Sequence, residues 1–199
     1  VDHAKFGADL LFKDGLISTF LKGMVKCTGY KPGALEDRYD SDGVFLYDRL
    51  NKSDMEMLEL AIRCHNMYRI PQGLNSREQA FCNVLRDADK VDIFKVNIDT
   101  PLEEIYNTTT EELMKSDITD EVLKAFDEEH CILKAIRRTP ADTVIGHVSL
   151  AYELVYDESV RITVEQGYLA KLMHFHSDNE ETNRKMAMVR EKIQSNVNN

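Results

Sequence analysis

Four prolines and nine glycines in 199 residues leave few breaks in a chain of this length. No stretch sustains a period-two alternation of apolar and polar residues with hairpin turns between, which argues against a sheet protein. No apolar run approaches the roughly 20 residues of a membrane-spanning helix, and no succession of charged, apolar and small residues reads as a signal peptide. The four cysteines, Cys27, Cys64, Cys82 and Cys131, are scattered and form no C-x-x-C pair. They signal no disulfide framework, and a reducing cytoplasm is the simpler setting. The N-x-[ST] sequons at Asn51 and Asn107 are accordingly read as chance matches. Cations are also short: 25 lysines and arginines face 35 aspartates and glutamates, a formal charge of −10. Such a surface disfavours nucleic acid polymers and anionic membranes, because gripping phosphate depends on clustered cations. A small phosphorylated substrate remains compatible, since it needs only a local cationic or metal-lined pocket.

What is present is an ordinary globular balance, 43% apolar and 30% charged, with long segments that repeat apolar residues at helical spacing. The expected fold is all-α. A first helix is expected over residues 2–22, followed by a loop over 26–42 that holds Gly29, Pro32 and Gly33. A second helix follows Ser53 and ends before Pro71. A third starts near Asn75 or Ser76 and runs through about Phe94. Beyond Thr100-Pro101, shorter helices start on Thr or Ser, over 110–115, 119–129 and 140–156. Thr139-Pro140 is a Thr cap with proline at the first helical position. Two longer helices are expected over 158–176 and 178–195. The organisation read from this is one domain: a site-bearing half over 1–97 and a helical extension over 98–199.

Three residues carry the chemistry. His3 lies on the helical face of Leu10, and His65 follows Leu58, Ala61 and Ile62 at helical spacing, so both are expected to face the core. Asp89 borders a stripe of Phe81, Val84, Leu85 and Ala88, whereas Asp87 is expected to project away from it. An ionised carboxylate beside an apolar face is costly unless it is paired, hydrogen-bonded or bound to a cation, and Asp92 at i+3 adds to the cost. A divalent metal shared by His3, His65 and Asp89 resolves all three placements, since imidazole nitrogen and carboxylate oxygen suit first-row ions. The ordinary alternatives are hydrogen-bonded core histidines and an Asp89–lysine ion pair, and periodicity accommodates both.

The residues around these positions resemble a known family. Asp2-His3-Ala4-Lys5-Phe6-Gly7-Ala8 is similar to the H-A-x-x-G-A helix of the HD-domain phosphohydrolases. The run Cys64 to Pro71 looks like that family's later histidine helix, and Leu85-Arg86-Asp87-Ala88-Asp89-Lys90-Val91-Asp92 resembles its D-A-D-K-x-D segment. The tail segments Gly167-Tyr168-Leu169 and Asn179-Glu180-Glu181-Thr182-Asn183 look like the C-terminal part of a bacterial subgroup. The resemblance implies an HD-domain-like helical bundle with a C-terminal helical extension. It also implies one or two divalent ions (Mn, Co, Ni, Mg, Fe or Zn) and hydrolysis of a small phosphoester, such as a nucleotide. It makes Asp89 a metal ligand and lets His3 and His65 bind metal or touch phosphate. Lys5, Asn66, Arg69 and Lys90 lie near the motif residues and are candidate phosphate contacts; a solvated charge or a surface ion pair is the alternative for each.

One departure matters. The family's His-Asp pair lies upstream of the position matching His3, and this chain contains no His-Asp dipeptide. The chain opens Val-Asp-His, not Met, and the expectation is that the missing helices lie upstream of this sequence. The alternative function is an HD-like binding or regulatory module without a complete centre. A His-Asp pair encoded some tens of residues before His3 supports the enzyme, and its absence supports the module. Other signals are discounted. His174-Phe175-His176 places its rings in different directions and reads as a surface pair. Asp40-Ser41-Asp42-Gly43 resembles a calcium loop, but the register puts arginine at both terminal ligand positions, Arg38 and Arg49. His147 lies in an apolar helix and reads as packed, and no phosphate-cradling G-x-x-x-x-G-K-[ST] occurs.

Overall fold

The computed structural model describes residues 2–17, 19 and 52–197, and among them every regular element is helical. The fold is all-α, as expected. Among the described residues, no helix is long and apolar enough to cross a membrane. The loop over 26–42, Cys27, the sequon at Asn51 and the calcium-like register over 38–49 lie outside the described residues. The chain divides into two compact units, Val1–Leu85 and Arg86–Asn199. The division falls in the same helix as the sequence boundary at residue 97.

In the first unit, helix α1 spans His3–Ala8, with Asp2 as N-cap accepting from the Lys5 amide at 3.3 Å. A π-helical turn, Asp9–Lys13, continues it. The Asp14 amide reaches the carbonyl of Asp9 at 3.1 Å, the five-residue spacing of such a turn. The regular helix expected over 2–22 is therefore interrupted after Ala8, and residues 18 and 20–22 of it lie outside the described residues. Ala4 and Ala8 are the buried residues of α1, and the helix packs along α2, Lys52–Cys64. Helix α3, Ser76–Asp99, runs past the expected end at Phe94. Asn75 opens it: its Oδ1 accepts from the Arg77 and Glu78 amides at 3.0 Å, and Glu78 returns a carboxylate to the Asn75 amide at 2.9 Å. This reciprocal cap satisfies amides that have no intrahelical partner. Ala61 and Cys64 of α2 pack with Cys82 of α3 in a small buried cluster bordered by Leu60, Ile70, Leu74 and Leu85.

The second unit holds the larger core, in which Phe94, Leu113, Phe126, Ile145, Met186 and Val189 are buried. It continues with α4 (Leu102–Tyr106), which the sequence pattern did not announce, then α5 (Thr110–Lys115), α6 (Asp120–Phe126) and α7 (Pro140–Val148). Thr109, Thr119 and Thr139 cap the last three. Asp142 is fully buried because its carboxylate serves two helix starts, the capping box of α7 and the Thr119 amide at 2.8 Å. The helix expected over 140–156 ends at Val148 and tightens into a 3₁₀ turn, Ser149–Glu153. The one expected over 158–176 breaks into α8 (Asp157–Gln166) and α9 (Tyr168–Met173) at Gly167, whose φ is +69°. That left-handed position costs glycine little and ends the first helix. Helix α10 spans Glu180–Val197. Gly146 on α7 lets the Arg137 guanidinium lie against the helix: a Cβ there would come 2.3 Å from the Arg137 Cζ, so the arginine would have to move.

Asp87 corrects the sequence reading. Phe81 and Val84 of the expected core stripe are 40% and 58% exposed, whereas Asp87 is 1% exposed. Its carboxylate accepts from the Val155 amide at 3.0 and 3.1 Å and from the Tyr156 amide at 3.0 Å. Tyr156 is the N-cap of α8 and supplies no side-chain cap of its own. The buried charge is thus satisfied by backbone N–H groups at a helix start, where negative charge is favoured. We expect Asp87→Asn to lower unfolding stability by about 1–3 kcal/mol in urea, because it unpairs buried groups. Asp92→Asn, at an exposed position of the same helix, should stay within about 0.5 kcal/mol. Equal stability of the two variants would contradict this role for Asp87.

His147 is structural as well. Its Nδ1 lies 2.7 Å from the Asn97 Oδ1, which also accepts the Tyr106 hydroxyl at 2.8 Å. An amide oxygen only accepts, so Nδ1 carries the proton. Burial, aided by the positive Arg137 and Lys134, pushes the His147 pKa down to about 4. The folded state therefore holds the neutral ring, while the unfolded chain protonates near pH 6.5. Stability is fully present above pH 6.5 and falls as pH drops towards 4, by on the order of 3 kcal/mol. His147→Gln should remove that part of the slope in denaturation curves collected between pH 4 and 7.

Candidate functional site

The site is built at one end of the α1–α2 packing. His3 is the first residue of α1, and His65 is the first residue beyond α2. Their Nε2 atoms lie 3.0 Å apart, with ring centroids at 5.0 Å and planes tilted by 55°. Both were expected to face the core. Instead His3 is exposed and His65 half-buried, because one precedes and the other follows the apolar part of its helix. The pair meets at a rim that solvent and solutes reach.

The tautomer of His65 follows from a single contact. Its Nδ1 lies 2.7 Å from the Ile62 carbonyl, and a carbonyl only accepts, so Nδ1 donates. A neutral His65 then turns the lone pair of Nε2 towards His3. Two such lone pairs cannot face each other at this distance without a proton or a cation between them. A proton on one ring or a cation between the two makes the approach favourable.

Two polar contacts flank the pair. Asp2 precedes His3, Asn66 follows His65, and the Asn66 Nδ2 donates to the Asp2 Oδ1 at 3.1 Å. That amide is the main cause holding the Asp2 carboxyl well below its usual range, at about 2, with the Lys5 amide and ammonium adding. Further along, Arg63 of α2 donates to Asp9 and to Glu59, each at 2.6 Å. Arg63, then Lys13, lowers the Asp9 pKa, and the two carboxylates raise that of Arg63. Asp2, Asp9 and Arg63 escaped the sequence reading. An aspartate directly before a helical run is an N-cap signal and was the available clue for Asp2.

The other expected site residues are distributed as follows. Lys5 is exposed and lies 3.2 Å from Asp2. Asn66 is engaged by Asp2, and the exposed Arg69 stacks its guanidinium 4.9 Å from the centre of the Tyr68 ring. Asp89 and Lys90 lie on α3 in the second unit. Asp89 is half-buried, and Lys90 is buried with its ammonium donating to the Arg86 carbonyl at 3.1 Å. Burial, then Arg86, lowers the Lys90 pKa against the pull of Asp87, Glu153 and Asp89. Lys90 is therefore a packed ammonium, neither solvated nor surface-paired. His174 is exposed, its Nδ1 2.7 Å from the Ala170 carbonyl.

No protein-family model matches this chain, and no curated protein or solved structure matches it either.

The Arg63 contacts generate a direct test. Arg63→Met should loosen the segment from Phe6 to Lys13, raising its amide hydrogen exchange about fivefold. Exchange in α6 to α10 should stay unchanged. Unaltered exchange over residues 6–13 would show that the ion pairs do not hold this segment.

Proposed function

We propose that this chain carries the histidine part of a divalent-metal centre in an HD-domain-like phosphohydrolase acting on a nucleotide or another small phosphoester. The observation that carries this reading is the 3.0 Å approach of His3 Nε2 to His65 Nε2. Two imidazole nitrogens this close would both reach one divalent ion, with metal–nitrogen bonds of about 2.1 Å. Imidazole and carboxylate donors suit first-row ions such as Mn²⁺, Co²⁺, Ni²⁺ or Zn²⁺. His65 is already oriented by its Nδ1 contact, the usual way a ligating imidazole is held.

Asp89, from the D-A-D-K-x-D segment, is the proposed carboxylate ligand. Lys5 and Arg69, both exposed, are the proposed contacts for phosphate oxygens. A divalent ion in such a centre supplies acidified water and positive charge opposite the phosphate. The protein's own part is to hold the two imidazoles convergent and to present cations at the rim. The second reading is a binding module that keeps the helical scaffold without catalysis.

The test uses the full-length protein with Mn²⁺, Co²⁺, Ni²⁺ or Mg²⁺ on a panel of phosphomonoesters, cyclic and linear diesters and nucleotides. We expect turnover that chelator abolishes, and a loss of about 100-fold or more in Asp89→Asn, together with lost metal. Inactivity of the metal-loaded protein across the whole panel would replace the enzyme by the binding module. Unchanged metal content in Asp89→Asn, with a large loss of stability in chelator, would make Asp89 an ion-pair partner instead.

A further inference from the structure

We infer that Asp2 and Asn66 form a clamp whose task is to position the His3–His65 pair, so that Asn66 acts through the histidines and not on a substrate. The contacts are nested. Residues 3 and 65 touch through their rings at 3.0 Å, and their chain neighbours 2 and 66 touch through their side chains at 3.1 Å. Asp2 spends its carboxylate on three partners that fix this corner: the Lys5 amide at 3.3 Å, the Lys5 ammonium at 3.2 Å and the Asn66 amide. The first of these sets the start of α1, from which His3 projects. The last ties that start to the turn that carries His65.

The two rings differ in what else holds them. His65 is anchored within its own turn by the Ile62 carbonyl at 2.7 Å. His3 stands exposed at the first position of a helix of six residues, a length far too short to be stable without outside contacts. Packing of Ala4 and Ala8 on α2 holds the body of the helix, and the cap and the clamp hold the end from which His3 projects. Lost clamping frees the exposed ring first. The Asn66 Nδ2 already donates to the Asp2 carboxylate, so the contact the structure gives this side chain is the one that ties it to the start of α1.

Capping and clamping separate by side-chain length. Ser and Asn are N-caps comparable to Asp, but only Asn extends far enough to offer an oxygen to Asn66 as Asp does. The experiment compares wild type, Asp2→Asn, Asp2→Ser and Asn66→Ala in the full chain by two readouts. The first is the nuclear Overhauser cross-peak between the His3 and His65 ring protons, measured without metal. The second is the affinity for Co²⁺ alone. This second readout rests on the metal reading above, whereas the first does not.

We expect the cross-peak in wild type and Asp2→Asn and its loss in Asp2→Ser and Asn66→Ala, with melting temperatures and far-ultraviolet dichroism unchanged. Co²⁺ affinity should fall about 10- to 100-fold in the same two variants, the usual cost of removing a supporting contact. Retention of the cross-peak in both Asp2→Ser and Asn66→Ala would overturn the clamp, as would its equal loss in Asp2→Asn. A wild type that keeps the cross-peak but takes up no Co²⁺ would overturn the metal reading and leave the clamp standing on the first readout.

Discussion

Two imidazole nitrogens held 3.0 Å apart impose the constraint on which the first unit turns. Each Nε2 has a lone pair when unprotonated, and the contact is attractive only with one positive or hydrogen-bonding centre between them. The Ile62 carbonyl settles which nitrogen of His65 faces the gap. The rest of the local sequence makes the approach feasible. Ala4 and Ala8 give α1 a buried face without bulk, so it packs along α2. Asp2 and Asp9 then fasten the two ends of that segment, one to Asn66 and the other to Arg63. Small residues bring the backbones together, and acids on either side prevent sliding.

The second unit uses carboxylates differently. Asp142 and Asp87 are among its most buried residues, at 0% and 1% exposure, yet each is satisfied at a helix start, α7 and α8 respectively. Unsatisfied N–H groups gather there, so the acid and the backbone solve one another's desolvation. Lys185 applies the same logic with opposite sign. Its buried ammonium donates to the Ile118 carbonyl and reaches the Asp117 and Asp120 carboxylates at 3.3 Å, which raise its pKa against the effect of burial. Polar burial of this sort fixes where short helices begin and end around the apolar core.

What was legible in the sequence follows from how local each cause is. Threonine caps at Thr119 and Thr139 announced α6 and α7 because the signal and its partner lie three residues apart. The break at Gly167 was missed: helical periodicity runs through it on both sides, and only its positive φ separates α8 from α9. Asp87 was misread for a non-local reason. Its partners, Val155 and Tyr156, are far along the chain, and no periodicity reveals a carboxylate satisfied by distant amides. The apolar Phe81 and Val84 misled in the opposite direction, since single exposed apolar residues are common. The motifs singled out His3 and His65, whose rings do meet, but the core-facing placement expected of them failed because both stand just outside the apolar run of their helices. The Asp2–Asn66 contact was invisible, although its two residues adjoin the histidines already singled out.

The most direct test of the central claim is a Zn²⁺ titration of the full chain followed by nitrogen-edited spectra of its six histidines. The account predicts that the Nε2 resonances of His3 and His65 move together at the first equivalent, while Nδ1 of His65 stays protonated and His130, His147, His174 and His176 keep their positions. It is contradicted if His3 and His65 fail to respond to Zn²⁺, or if His174 and His176 respond in their place.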